Sequence, residues 1–220
     1  MSTPHRQHLL LRQACEVLHA SYQNGWISTR DGNVSVMSRQ PGVFFISPSG
    51  VVKHRVQPEH FVEVNDATRV DELSLGARRP SGEVDLHRGI QSLLPAAHTT
   101  VLHVHATHIV AALYAGHKLR ELASGFPEVA RYTRVGADVP ALAATSLELA
   151  EATVRAFRQP STDRPHIVGL DRHGVVAIGR DPWDAFGHVE RLEHVCQIVL
   201  AAGRSAIGER QRDSYGTAAA

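Results

Sequence analysis

The chain has 220 residues, in which 23 lysines and arginines nearly balance 22 aspartates and glutamates. The length suits one medium-sized domain with its own core, and the charge balance excludes a global field that would attract nucleic acid or an anionic membrane. No apolar run approaches the roughly 20 residues that span a bilayer, and we expect no secretory signal. Cys15 and Cys196 lie far apart and match no ligand spacing, so we expect reduced cysteines and a cytoplasmic protein.

The N-terminal part predicts a helix followed by a hairpin. Apolar residues recur at helical spacing over residues 6–24, and Asn24-Gly25 ends that pattern. Residues 30–47 predict two strands, with a turn signal at Asp31-Gly-Asn33. The next segment, Ser47-Pro-Ser-Gly50, is either an ordinary connection or a small anion cradle built from serine hydroxyls and backbone N–H groups.

A third strand is predicted over residues 60–64, and a helix over residues 82–94 with Ser81 as its N-cap. Glu83 then lies in the first helical turn and His87 one turn later on the same face. A glutamate at this position can simply be a favourable charge at the helix dipole. The alternative is a functional carboxylate, and the segment that follows the helix favours it.

That segment is Val101-Leu-His-Val-His105, an apolar run with two histidines one residue apart. If it is a strand, His103 and His105 share one face, while Leu102 and Val104 enter the layer behind. A single histidine in such a run is usually a satisfied core or surface residue. Two imidazoles on one face of a rigid strand provide half of a metal site.

The C-terminal half predicts helices over residues 106–115 and 146–158, with little periodicity over 117–140. A hairpin is predicted over 166–178, and His173 in its turn is the best third metal ligand. Asp181 is expected to cap a last long helix.

Four blocks of the sequence resemble the class II aldolase/adducin family and occur in its order: Asp31-Gly-Asn-Val-Ser-Val36, Ile46-Ser-Pro-Ser-Gly50, Pro80-Ser-Gly-Glu83 with His87, and His103-Val-His105 with His173-Gly174. The resemblance implies an α/β, three-layer class II aldolase-like fold, in which helices flank a mainly antiparallel central sheet. It also implies a homotetramer with active sites at subunit interfaces. We assign residues 1–205 to this domain and expect residues 206–220 to form a flexible tail.

The resemblance also implies the roles of individual residues. The family's divalent metal, typically Zn²⁺ although Mn²⁺ also suits imidazole ligands, maps onto His103, His105 and His173. Its acid/base glutamate maps onto Glu83. The groups that bind a substrate phosphate map onto five further positions: Asn33, Ser49, Gly50, Ser81 and Gly82.

The leading functional expectation is a metal-dependent aldolase, a lyase of carbohydrate metabolism. Its substrate would be a small phosphorylated ketose or related hydroxy-oxo compound, cleaved through an enediolate whose charge the metal offsets. Two departures from the type aldolase weaken the expectation of simple fuculose-phosphate cleavage. Gly82 stands where that enzyme has a second serine, and Leu122-Ala-Ser-Gly-Phe-Pro-Glu128 lacks its tyrosine. Tyr215 either replaces the family's C-terminal tyrosine or is incidental.

Several alternatives stay open. A dehydratase similar to methylthioribulose-1-phosphate dehydratase would use an acid/base glutamate farther along the chain after the second histidine, and Glu128 lies close to that offset. Glu128 can also be an ordinary loop residue. Epimerases and decarboxylases of the family are further alternatives, because they share an enediolate-like intermediate on the same metal. A silent interaction module such as the adducin head is disfavoured, because all three histidines and Glu83 are present.

Overall fold

A computed structural model of the chain describes residues 3–65, 78–95, 99–160 and 162–203. In this part of the chain the centre is a six-stranded sheet in the order β3-β2-β1-β4-β6-β5, and every pair of neighbouring strands is antiparallel. The strands are β1 (Asn33–Met37), β2 (Val43–Ile46), β3 (Val62–Asn65), β4 (Thr100–Val104), β5 (Ile167–Leu170) and β6 (Gly174–Gly179).

Helices connect and cover these strands. Their bounds are α1 (Thr3–Gln23), α2 (Val84–Gln91), α3 (Thr107–Tyr114), α4 (Leu119–Ser124), α5 (Pro127–Tyr132), α6 (Leu147–Phe157) and α7 (Pro182–Ala202). Two short 3-10 turns, Lys53–Arg55 and Pro58–His60, lie between β2 and β3. No helix of the described residues is long and apolar enough to cross a bilayer.

The sheet lies between two layers of helices, which confirms the predicted three-layer arrangement. Leu102 and Val104 of β4 pack into one core with α1, α3 and α7, while Val101 packs on the opposite face with α2 and α6. All five residues of β4 are therefore buried. Burial of each large apolar side chain contributes about 1.5–3 kcal/mol to the free energy of unfolding. The central strand is therefore a rigid support for the residues at its end.

Most of the predicted elements are confirmed, and the predicted N-cap of α2 is wrong. Ser81 is not the N-cap of α2: the cap position is Glu83, and the Ser81 hydroxyl instead accepts a hydrogen bond from the Glu83 N–H at 3.3 Å. The segment 117–140, which shows little periodicity in the sequence, contains two short helices, α4 and α5.

The predicted cap of the last helix is confirmed, because the Asp181 carboxylate accepts from the Asp184 N–H at 2.9 Å. Both cysteines are free, as expected. The expected flexible tail, residues 206–220, and Tyr215 within it lie outside the described residues.

Candidate functional site

Three histidines converge beside the end of the central strand. The ligand nitrogens of His103, His105 and His173 all lie within 4.8 Å of one another, and the ring centroids are 4.8–5.1 Å apart. The Nε2 atoms of His103 and His105 are 3.1 Å apart. The structure thus brings together the three residues that the sequence singled out as metal ligands.

The sheet register places the first two of these rings. His103 is the fourth residue of β4, opposite Asn33 on β1 and Val176 on β6. His105 follows the end of the strand, and its N–H donates to the Trp26 carbonyl at 2.8 Å. Residues i and i+2 of extended chain share a face, so the two rings point into the same cleft.

The third ring belongs to His173, in the turn between β5 and β6. Arg172 has φ 56°, which turns the chain tightly before His173. Gly174 allows the close approach that follows. A Cβ at that position would lie 2.5 Å from the Val104 carbonyl oxygen and about as close to the rings, at 2.9 Å from His105 and 3.0 Å from His103. Only glycine fits between the turn and β4 without displacing them.

The donor set fits a divalent metal ion. His103 Nδ1 lies 3.1 Å from the Val175 carbonyl and is therefore the N–H, which leaves the Nε2 lone pair facing the cleft. Burial lowers the pKa of His105 to about 4, and it also lowers the pKa of His173. Neutral imidazoles are the form that binds metal, and three of them leave open coordination positions for a substrate.

Glu83 completes the cluster from the start of α2. Its Oε2 lies 3.3 Å from His103 Nε2, and its Oε1 lies 3.5 Å from His173 Nε2. Oε2 also accepts a hydrogen bond from the Asn33 amide at 2.8 Å, whereas the buried Oε1 has no hydrogen-bond donor among the described residues. Burial by itself would raise the pKa of Glu83, but His103, the bond from Asn33 and His173 together lower it to about 2.

A cleft of about 270 Å³ opens onto this cluster. Four of the five residues predicted to bind phosphate line it: Asn33, Ser49, Ser81 and Gly82. Gly50 is outside the lining. It has φ 72°, so it permits the turn that presents Ser49.

Lys53 is a site residue that the sequence reasoning missed. It lines the cleft, yet only 2% of its surface is exposed, and its ammonium donates to the Pro48 carbonyl. No carboxylate of the described residues forms an ion pair with it. Burial lowers the pKa of Lys53 to about 8, so the group is largely charged at neutral pH. Composition was the one sequence feature that could have drawn attention to Lys53, because Lys53 and Lys118 are the only lysines in an arginine-rich chain.

Thr145 also lines the cleft and has φ 60°, which is an uncommon conformation for a β-branched residue. Its methyl group lies 3.2 Å from where a Cβ at Gly82 would be. The threonine therefore crowds the position that the Cβ of a serine at position 82 would take.

Glu193 fixes the segment that follows the histidine pair. This buried residue of α7 accepts from the N–H groups of His108 at 3.0 Å and Ile109 at 2.8 Å. Those groups begin α3, which has no side-chain cap of its own. Glu193 thereby satisfies N–H groups that the first helical turn leaves free, directly after His105.

Glu128 lies in the first turn of α5, is exposed, and is not among the residues that line the cleft of its own chain. The residues before it, 122–127, include no tyrosine. Within one chain, therefore, this glutamate does not line the cleft beside the histidine cluster.

Comparison with known proteins agrees with this architecture. The family model "Class II Aldolase and Adducin N-terminal domain" matches residues 12–200. Methylthioribulose-1-phosphate dehydratase of Methylococcus capsulatus is 33% identical over 189 residues, covering 79% of this chain and 84% of that protein. L-ribulose-5-phosphate 4-epimerase UlaF of Salmonella paratyphi A is 26% identical over 200 residues, covering 87% and 84%.

A solved structure shows the same fold. L-fuculose-1-phosphate aldolase from Thermus thermophilus superposes with a TM-score of 0.70 at 26% identity, over 96% of this chain and 98% of the other. The matched region contains the sheet, the three histidines and Glu83. The chain belongs to the class II aldolase and adducin family.

Proposed function

We propose that this protein is a divalent-metal-dependent lyase that acts on a small phosphorylated ketose. One observation carries the proposal: three imidazoles converge beside a carboxylate that has one oxygen with no hydrogen-bond partner among the described residues. A metal next to an unengaged base is the arrangement needed to remove a proton beside a carbonyl group.

In this proposal His103, His105 and His173 hold the ion, Zn²⁺ or Mn²⁺. When bound there, the ion would supply Lewis acidity to the substrate's carbonyl oxygen. Glu83 removes and returns the proton on the neighbouring carbon. The carboxylate of Glu83 lies 3.3–3.5 Å from two of the three histidines. A substrate held beside these histidines would therefore lie within contact distance of the base, as proton transfer requires.

The phosphate would lie in the same cleft, against polar groups beside Glu83 and Lys53. Asn33, Ser49, Ser81 and the backbone N–H groups at Gly50 and Gly82 offer neutral donors. Lys53 adds a positive charge, and the described part of the chain places no acidic partner within salt-bridge distance of it, which supports a role in binding an anion. A buried ammonium without a counter-ion costs several kcal/mol, and a bound phosphate would offset that cost.

Among the lyase reactions, dehydration has the stronger support. In a dehydration, Glu83 would take the proton from the carbon next to the carbonyl, and the hydroxyl on the following carbon would leave as water after a second acid protonates it. Glu128 is the candidate second acid. The 33% identity to a methylthioribulose-1-phosphate dehydratase and the absence of a tyrosine from residues 122–127 support this assignment.

Aldol cleavage is the second candidate. It would use the same metal and Glu83, but it breaks a carbon–carbon bond and releases an aldehyde. The similarity to the Thermus thermophilus aldolase over nearly the whole chain supports it. The 26% identity to the epimerase makes epimerisation a further outcome for any assay to cover.

We also propose a cytoplasmic homotetramer with active sites between subunits. Glu128 is exposed and outside the cleft of its own chain, so it can take part only if a neighbouring copy brings it there. Free cysteines suit a reducing compartment. Light scattering of the purified protein gives the oligomeric state directly.

Product analysis tests the reaction. The zinc-loaded protein is incubated with methylthioribulose 1-phosphate and with other ketose 1-phosphates, and the products are separated by chromatography and identified by mass. Loss of water, abolished in Glu128→Gln, supports dehydration. Release of dihydroxyacetone phosphate that is unaffected by Glu128→Gln supports the aldolase instead. An epimer of unchanged mass, or no turnover of any phosphorylated ketose, would contradict both lyase assignments.

A further inference from the structure

A chain of buried polar side chains runs from the core to the carboxylate of Glu83. Its central member is His87 on α2, which is fully buried and touches none of the three histidines of the cluster by hydrogen bond. His87 Nδ1 lies 2.7 Å from the Ser35 hydroxyl, and His87 Nε2 is hydrogen-bonded to Asn33 Oδ1. Gln91 Nε2 donates to the same Ser35 hydroxyl at 2.9 Å.

The direction of every bond in this chain can be assigned. A carboxylate only accepts, so the Asn33 group that faces Glu83 is its NH₂, and its Oδ1 faces His87. His87 Nε2 must then carry the hydrogen. Its Nδ1 consequently accepts from the Ser35 hydroxyl, which in turn accepts from the Gln91 amide. Each donor meets one acceptor, and no alternative tautomer of His87 satisfies both ends.

The consequence appears at the two oxygens of Glu83. Asn33 occupies Oε2, while Oε1 is buried with no hydrogen-bond donor among the described residues. If the Asn33 amide rotated by half a turn, its carbonyl oxygen would face the carboxylate and repel it. The histidine opposes that rotation from the other side of the amide, because its Nε2–H requires the carbonyl oxygen of Asn33 as an acceptor.

We propose that His87 is a positioning residue that fixes the amide of Asn33, and that Asn33 thereby reserves Oε1 of Glu83 as the atom that exchanges the proton with substrate. The proposal rests on the proton-transfer role proposed for Glu83. Asn33 keeps its second amide hydrogen for the substrate, so its predicted part in substrate binding is compatible with this one.

The surroundings of His87 suit a fixed, neutral donor. Burial lowers its pKa to about 3, so the ring keeps one hydrogen throughout the physiological range. Ser35 is itself fully buried on β1, and Gln91 lies one turn after His87 on α2. The sheet and the helix therefore hold the ring from both sides.

The first test reads the tautomer and needs no turnover. The zinc-loaded full chain is labelled with ¹⁵N-histidine, and His87 is assigned by the signal that disappears in His87→Gln. We expect long-range ¹H–¹⁵N correlations that identify an Nε2–H tautomer, unchanged between pH 6 and pH 8. An Nδ1–H tautomer would overturn the proposal, whatever reaction the protein catalyses.

The second test uses a matched pair of variants. The amide of glutamine reaches the position of the Nε2 donor, whereas the amide of asparagine reaches only the position of Nδ1. With equal zinc content, we expect kcat to fall less than about tenfold in His87→Gln and about a hundredfold or more in His87→Asn. Equal kcat values for wild type and His87→Asn would contradict the positioning role. A loss confined to KM would contradict it as well.

Discussion

Oε1 of Glu83 and Nε2 of His173 lie 3.5 Å apart, although one residue comes from the start of α2 and the other from the turn between β5 and β6. The two elements are far apart in the sequence. Their meeting point is next to the two histidines at the end of β4. The fold thus brings the proposed base and the three proposed metal ligands to one place.

Glu83→Gln tests the base. Glutamine has nearly the same size and can still accept from Asn33, so fold and metal content should be unchanged. It cannot take a proton, and we expect kcat to fall by about 10²–10⁴. Steady-state kinetics at matched zinc content checks this. Wild-type kcat in the variant would place the proton transfer on another group.

Gly174→Ala tests the close approach of the His173 turn to β4. The added methyl group would lie 2.5 Å from the Val104 carbonyl oxygen, so the turn must move. We expect a loss of about 1–3 kcal/mol in the free energy of unfolding and a zinc affinity about tenfold weaker or more, measured by denaturation and chelator competition. Gly187→Ala is the control. A Cβ there would meet nothing closer than an arginine side chain at 3.6 Å, so neither quantity should fall.

Lys53→Met tests the proposed anion-binding part of the cleft. Methionine keeps much of the buried hydrocarbon but removes the charge. Inorganic phosphate should raise the Tm of the wild-type holoprotein and raise that of the variant much less. The KM for a phosphorylated substrate should rise about tenfold or more, since a hydrogen bond to a charged group contributes about 1.5–3 kcal/mol.

Lys118→Met serves as the matched control for that experiment, because Lys118 is the other lysine of the chain and is exposed. The control should behave as wild type. If both variants respond equally to phosphate, the anion-binding part of the cleft does not depend on Lys53.

The buried residue His188 should make the free energy of unfolding depend on pH. This residue of α7 is 5% exposed, and Thr133 Oγ1 lies 2.9 Å from its Nδ1. Burial, with help from the neighbouring His166, lowers its pKa to about 3. The unfolded chain therefore binds a proton at this position below about pH 6.5, whereas the folded chain binds it only near pH 3.

Stability due to His188 is thus complete above about pH 6.5 and declines as the pH falls towards about 3, at up to about 1.4 kcal/mol per pH unit. His188→Asn keeps a polar atom near Thr133 and does not titrate. We expect urea unfolding curves between pH 4 and pH 7 to show a shallower decline for the variant. Parallel declines in both proteins would assign the effect to other groups.

Much of the fold was predictable from the sequence, because helix and strand periodicity is a local property. The alternation around Val104 predicted β4 and the layer behind it, and the turn around His173 predicted the second hairpin. Ser81 was a reasonable N-cap by residue type. The error arose because α2 begins later, where Glu83 takes the cap position and turns its carboxylate into the cleft.

Other features depend on contacts between distant segments, and no local pattern encodes them. Lys53 follows a turn that looks like an ordinary connection, and only the folded chain shows it buried beside the cleft. The bond of His87 to Asn33 likewise joins residues of a helix and a strand. The sequence placed His87 on the face of Glu83 but carried no sign of its acceptor.

The central claim is that His103, His105 and His173 hold one divalent ion. Metal analysis of the purified protein, with zinc supplied and excess removed, tests it most directly. We predict about one ion per chain in the wild type, lost in His173→Ala while the circular dichroism spectrum is preserved. A folded wild-type protein that binds no ion, or a His173→Ala variant that binds zinc as tightly as wild type, would contradict the account.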